Sequence, residues 1–73
     1  MLLVVATTGE KLNRLRRGQG LTQADLSEES GVAQSTIAHI ESGKHARPHP
    51  GTLSKLARAL GIKPSELLED IED

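Results

Sequence analysis

The sequence has no cysteine, no Phe, Tyr or Trp, and a single methionine among its 73 residues. Without cysteine, neither a disulfide nor a thiolate metal site can reinforce the fold. Without aromatics the core must be aliphatic, and the stacking of bases on side-chain rings that single-strand and RNA-binding modules rely on is missing. A long hydrophobic run is absent too. Met1 to Ala6 is apolar, but it lacks a basic start and is far too short to cross a bilayer, so the expectation is a cytoplasmic chain with no membrane role. At this length there is one domain at most, and folding removes only about 60% of the unfolded surface from water, so stability is marginal or helped by a partner.

A net excess of positive charge, the usual footprint of a nucleic-acid binder, is also wanting: the formal charge is -1. That total hides an asymmetry. Residues 1–65 hold all nine Lys and Arg with five acids, a balance of +4, and the other five acids (Glu66, Glu69, Asp70, Glu72 and Asp73) crowd into the last eight positions. Two readings stay open: an acidic terminal helix turned away from a polyanion, or simply a solvated helix end.

The apolar residues fall at helical spacing, and the spacing predicts an all-α fold of five helices. Helix 1 runs from about Thr8 to Arg17, with Thr7 and Glu10 at capping-box spacing, and Gly18-Gln19-Gly20 stops it. Thr22 caps helix 2, with Asp25 completing a box, and Gly31 ends it. Helix 3 spans about Ala33 to Glu41, buries Ile37 and Ile40, and stops at Ser42-Gly43. Helices 2 and 3, joined by a short glycine-containing turn, form a helix-turn-helix. Residues 44–50, with two prolines, make an exposed connector. Leu53, Leu56, Ala57 and Leu60 mark a fourth, amphipathic helix ended by Gly61. Pro64 opens a fifth that carries Leu67, Leu68 and Ile71. The expected division is an apolar arm over residues 1–8 and a helical domain over 9–73. The arm is either a dimerisation arm or strand, or it folds back over the domain's own core.

No catalytic constellation is visible. His45 and His49 are four apart, but Pro48 and Pro50 exclude regular helix between them and no third ligand is near. No nucleophile elbow, phosphate loop or paired-acid signature occurs. An enzyme, a metal site and a cofactor are therefore not expected.

Several stretches in register, Leu15-Arg16, Gly20-Leu21-Thr22-Gln23-Ala24-Asp25-Leu26-Ser27, Ser30-Gly31-Val32-Ala33-Gln34-Ser35-Thr36-Ile37, Ile40-Glu41-Ser42-Gly43-Lys44 and Leu56-Ala57-Arg58-Ala59-Leu60-Gly61-Ile62, resemble the phage repressor and Cro-like helix-turn-helix family. The likeness covers about residues 9–68. It implies a transcriptional regulator, a repressor acting as a homodimer on double-stranded DNA, with helix 3 in the major groove. Gln34, Ser35 and His39 would then read bases, as glutamine can pair with adenine N6 and N7. Gln23, Thr36, Lys44 and Arg47 would hold phosphates, setting position and salt dependence rather than sequence preference. Arg16 and Glu41 match a partly buried ion pair that ties helix 1 to the end of helix 3. Ala33 departs from the Ser or Thr frequent at its position, so the hydroxyl cap of helix 3 is missing. The alternative is an antitoxin or protein-interaction adaptor on the same domain, with a toxin among the conceivable partners. Salt-dependent retention of duplex DNA separates the two.

Burial of an aliphatic side chain is worth about 1.5 to 3 kcal/mol, a large share of the stability of so small a domain. Ile37→Asn should abolish the cooperative thermal transition followed by circular dichroism, whereas a melting curve like the parent's would remove Ile37 from the core.

Overall fold

Two helices begin where the sequence supplies a hydroxyl and an acid three residues apart. In the computed structural model, which describes the backbone of residues 3–72 and the side chains of 6–69, Thr7 Oγ1 accepts the Glu10 amide at 3.1 Å and opens α1 (Thr8–Gly18). Thr22 Oγ1 likewise accepts the Asp25 amide at 3.0 Å and opens α2 (Gln23–Ser30). Both boxes are reciprocal, each acid accepting the amide of its capping threonine. Gly31, at φ 77°, ends α2 in the left-handed region and releases the chain into α3 (Gln34–Ser42) after only three residues. As expected, Ala33 gives α3 no side-chain cap. Pro50 starts α4 (Pro50–Leu60).

The body from Thr8 to Leu67 is all-helical, and its core is a single aliphatic cluster. Leu12, Leu26, Ile37, Ile40, Leu56 and Leu67 are fully enclosed, with Val32, Leu53, Ala57 and Leu60 around them. α1 packs on α3, and α2 packs on both α3 and α4. α1 and α3 meet at Gly9, which is buried, and a Cβ there would collide with the carbonyl oxygen of Ile40. The glycine is what lets the two helices touch backbone to backbone. Two side chains tie up loose ends. Gln19 Nε2 donates to the carbonyl of Leu60 at 2.7 Å, covering an orphan acceptor at the end of α4. Lys11 Nζ donates to the carbonyl of Leu68 at 2.9 Å.

Two expectations need correction. The fifth helix is only a 3-10 turn, Pro64–Leu67, after which Leu68 is extended at ψ 152°. Its continuation would have set Glu66, Glu69, Asp70, Glu72 and Asp73 at three- and four-residue spacings, where like charges repel, and at a helix C-terminus, whose dipole disfavours them. Asp70–Glu72 forms instead a strand, β2, antiparallel to β1 (Leu3–Ala6), with Leu3 opposite Glu72, Val4 opposite Ile71, and an irregularity between Val4 and Ala6. The arm thus pairs with the chain's own C-terminal segment. The connector is also less exposed than expected: Pro48 is buried, and the His45 amide donates to the His39 carbonyl at 3.0 Å.

The close approach at Gly9 has a measurable consequence. Gly9→Ala should lower stability by more than about 1 kcal/mol, because backbone rather than a flexible side chain must yield. Gly18→Ala, in α1 with no atom near its would-be Cβ, should be neutral or stabilising by up to about 1 kcal/mol. Chemical denaturation of the two variants checks the contrast, and equal effects would refute the Gly9 contact.

Candidate nucleic-acid interface

One face of α3 is turned outward by the burial of the other. Ile37 and Ile40 lie in the core at 0% and 1% exposure, so Gln34, Ser35 and His39, on the opposite side, are exposed. Thr36 and Ala38 are half-buried at the margins. The turn that fixes this orientation is cross-braced: Ser27 Oγ donates to the Val32 carbonyl at 2.7 Å, and Ser30 Oγ accepts the Val32 amide at 3.1 Å. At its far end α3 closes on Gly43, φ 87°, where Ser42 Oγ donates to the His39 carbonyl at 3.1 Å. Lys44 is exposed just beyond that cap. Arg47 is exposed three residues further, on the wall of a cavity of about 500 Å³ between the start of α1, the connector and Leu68.

Near the end of α3 sits the carboxylate of Glu41, and it gathers three helices. Glu41 Oε2 accepts Arg16 Nε at 2.7 Å, and Oε1 accepts Arg16 Nη2 at 2.9 Å, Asn13 Nδ2 at 2.9 Å and Gln23 Nε2 at 3.2 Å. Arg16 Nη1 turns back to the Leu21 carbonyl at 2.7 Å, so the guanidinium also braces the link between α1 and α2. The two charged side chains are only 9% and 6% exposed. Burial pushes the Glu41 carboxyl up, but the hydrogen bonds from Arg16, Asn13 and Gln23, with the charge of Arg16, hold it below the usual carboxylate range. The bond to Glu41 raises Arg16 in turn, against the opposing effect of its own burial. Asp25 is lowered by its bonds to the backbone and hydroxyl of Thr22.

The residues singled out in the sequence therefore fall into separate places. Gln34, Ser35 and His39 share one exposed helical face, Lys44 lies at its end, and Arg16 and Glu41 are paired inside. Gln23 is half-buried with its amide on Glu41, a contact that spacing alone does not reveal. Asn13 was not singled out, although it lies one turn before Arg17 and three residues before Arg16, on the side of α1 that faces α3. His45 and His49 form no metal cluster; among the described residues no group of three or more His, Cys, Asp or Glu is placed to hold a metal ion. Nor is any described helix long and apolar enough to cross a membrane.

A helix-turn-helix family model matches residues 12–67. The chain is similar to the HTH-type transcriptional repressor RghR of Bacillus subtilis, at 46% identity over 54 residues that cover 74% of this chain and 40% of RghR, so it spans well under half of that relative's length. Among solved structures, the restriction-modification controller protein C.AhdI from Aeromonas hydrophila superposes with a TM-score of 0.78 at 36% identity, covering 84% of this chain and 91% of that one. The N-terminal DNA binding domain of SinR from Bacillus subtilis superposes with a TM-score of 0.82 at 27% identity, covering 86% and 91%.

The lowered carboxyl of Glu41 links stability to pH. Its folded value lies below its unfolded value of about 4.3, so the unfolded chain takes up the proton first. The contribution is complete above that value and is lost as pH falls through it and below; Asp25 acts in the same direction. The melting temperature should hold between pH 7 and about 5 and then fall. Glu41→Gln should cost about 3 kcal/mol at neutral pH, by leaving Arg16 unpaired, and should flatten the acid limb. A variant with the parent's acid slope would assign that sensitivity to other carboxylates.

Proposed function

Because the chain belongs to the helix-turn-helix family that its sequence resembles, we propose that it is a sequence-specific double-stranded DNA-binding transcriptional regulator, a repressor that acts as a dimer on a pseudo-palindromic operator. The observation that carries this reading is the exposed face of α3, with Gln34, Ser35 and His39 side by side and Ile37 and Ile40 locking the helix from beneath. Gln34 and Ser35, in the first turn, meet base edges in the major groove, and His39 meets a base one turn later. Lys44, beyond the helix, and Arg47, Thr36 and Gln23 hold the sugar-phosphate backbone on either side. Gln23 stands at the N-terminus of α2, where free amides and the helix dipole favour an anion. Its bond to Glu41 fixes the side chain near that end and uses one of the two Nε2 hydrogens, leaving the other to donate to a phosphate oxygen.

One such domain makes few base contacts, and two copies on half-sites about 34 Å apart, one helical turn, supply the rest. No catalytic step and no cofactor belong to this reading, because binding alone occludes a promoter. The chain acts among nucleic acids in the cytoplasm, and a toxin or other protein partner adds nothing that this face requires.

Duplexes enriched from a random pool give the probe. Gln34→Ala should cost about 1 to 3 kcal/mol and relax preference at one base pair, while Lys44→Ala should weaken every sequence alike and reduce the salt dependence of binding. Uniform losses from both variants would overturn the assigned roles. Failure to enrich any motif, with no salt-dependent retention of duplex, would favour the adaptor reading.

A further inference from the structure

The ribbon formed by β1 and β2 has two strands and two edges that differ in charge. Among the described residues β1 pairs with β2 alone, so the outer side of each strand carries backbone amides and carbonyls that no other described strand meets. A two-stranded ribbon is at best marginal in water, and a third or fourth strand is what stabilises it. β1 reads Leu3-Val4-Val5-Ala6, with no charged residue and with two β-branched ones. β2 lies within Glu69-Asp70-Ile71-Glu72-Asp73, four acids in five residues. Two β2 edges brought together would set like charges opposite one another, whereas two β1 edges would set none. Leu68, immediately before β2 and 53% exposed, adds an apolar flank.

We infer that β1 docks on the β1 of a second copy of this chain, antiparallel across a two-fold axis, to give a four-stranded sheet in the order β2-β1-β1-β2. A two-fold axis makes one edge its own partner, and antiparallel pairing is the arrangement such an axis imposes on identical strands. The acidic β2 strands then fall at the outer rims, where their charges guard the remaining edges against further addition. The ribbon enters the body beside Gly9, which touches the last turn of α3; Gln34 and Ser35 lie at that helix's other end and stay free. This inference rests on the chain being a dimeric DNA binder and supplies its interface.

Because the chain has no cysteine, one introduced thiol in a dimer can bridge only to its own copy. Val4→Cys and Val5→Cys are made separately in the full chain, with Leu68→Cys and Ser54→Cys, at an exposed position of α4, as comparisons, and are oxidised mildly at micromolar protein. At least one of the β1 variants should form covalent dimer on the order of 1,000-fold faster than Ser54→Cys, the ratio expected of millimolar effective concentration over micromolar protein. Sedimentation of the unaltered chain should show a dimer. A monomer at concentrations where an enriched duplex is bound would overturn the inference and leave the DNA reading standing. A dimer that bridges through Leu68→Cys and neither β1 position would overturn it in favour of the apolar flank. A β1-bridged dimer that retains no duplex would uphold it and remove the DNA reading.

Discussion

A single enclosed carboxylate sets the geometry of this domain. Glu41 stands near the end of α3 and takes hydrogen bonds from Asn13 and Arg16 on α1 and from Gln23 on α2, so one acceptor group fixes three helices against one another. A charge with so little access to water is tolerable only when it is fully paired, and that requirement is directional where hydrophobic contact is not. A net of aliphatic side chains would allow α3 to rotate or slide by small amounts at little cost. A carboxylate whose oxygens are both engaged does not, and the outward face of α3 inherits that rigidity.

The core is consistent with this division of labour. It is built from Leu, Ile, Val and Ala alone, and its six fully enclosed side chains come from all four helices and the 3-10 turn. With no aromatic ring to fill space, close packing depends on bringing backbones together. Gly9 does so between α1 and α3, and Gly31 does so by letting α2 turn into α3 within three residues. Gln23 belongs to both halves of the design, since its amide reaches the internal carboxylate while its backbone opens α2 at the surface.

Much of the helical body was legible in the residues. Threonine and acid three apart, glycine after each apolar stripe, and Ile37 and Ile40 opposite Gln34 and His39 are local patterns with local causes, and they placed α1 to α4 within a residue or two. The Arg16 and Glu41 pair came from family likeness, because nothing local links positions twenty-five apart. The C-terminal segment was misread for a physical reason. Leu67, Leu68 and Ile71 have helical spacing, but the repulsion among neighbouring acids and the offer of a partner strand from Leu3–Ala6 both act against a helix, and the second is a contact across almost the whole chain. Likewise the contacts of Gln19 with Leu60 and of Lys11 with Leu68 are long-range side-chain to backbone bonds, which no window of sequence displays. Gly9 was a readable hint overlooked: a glycine early in a helix, with no turn to make, usually marks a place where something comes very near.

The ribbon also bears on the order in which the molecule assembles and comes apart. Pairing Leu3 with Glu72 closes nearly the entire chain into a ring, and in an unfolded chain each doubling of such a loop adds only about 0.6 kcal/mol but delays the encounter of its ends. The helical hairpins, made from near neighbours, form first and deliver the two ends to the same side of the body. The ribbon then zips last and, being short, unzips first, so its amides exchange hydrogen with solvent through a local opening that leaves the helices folded.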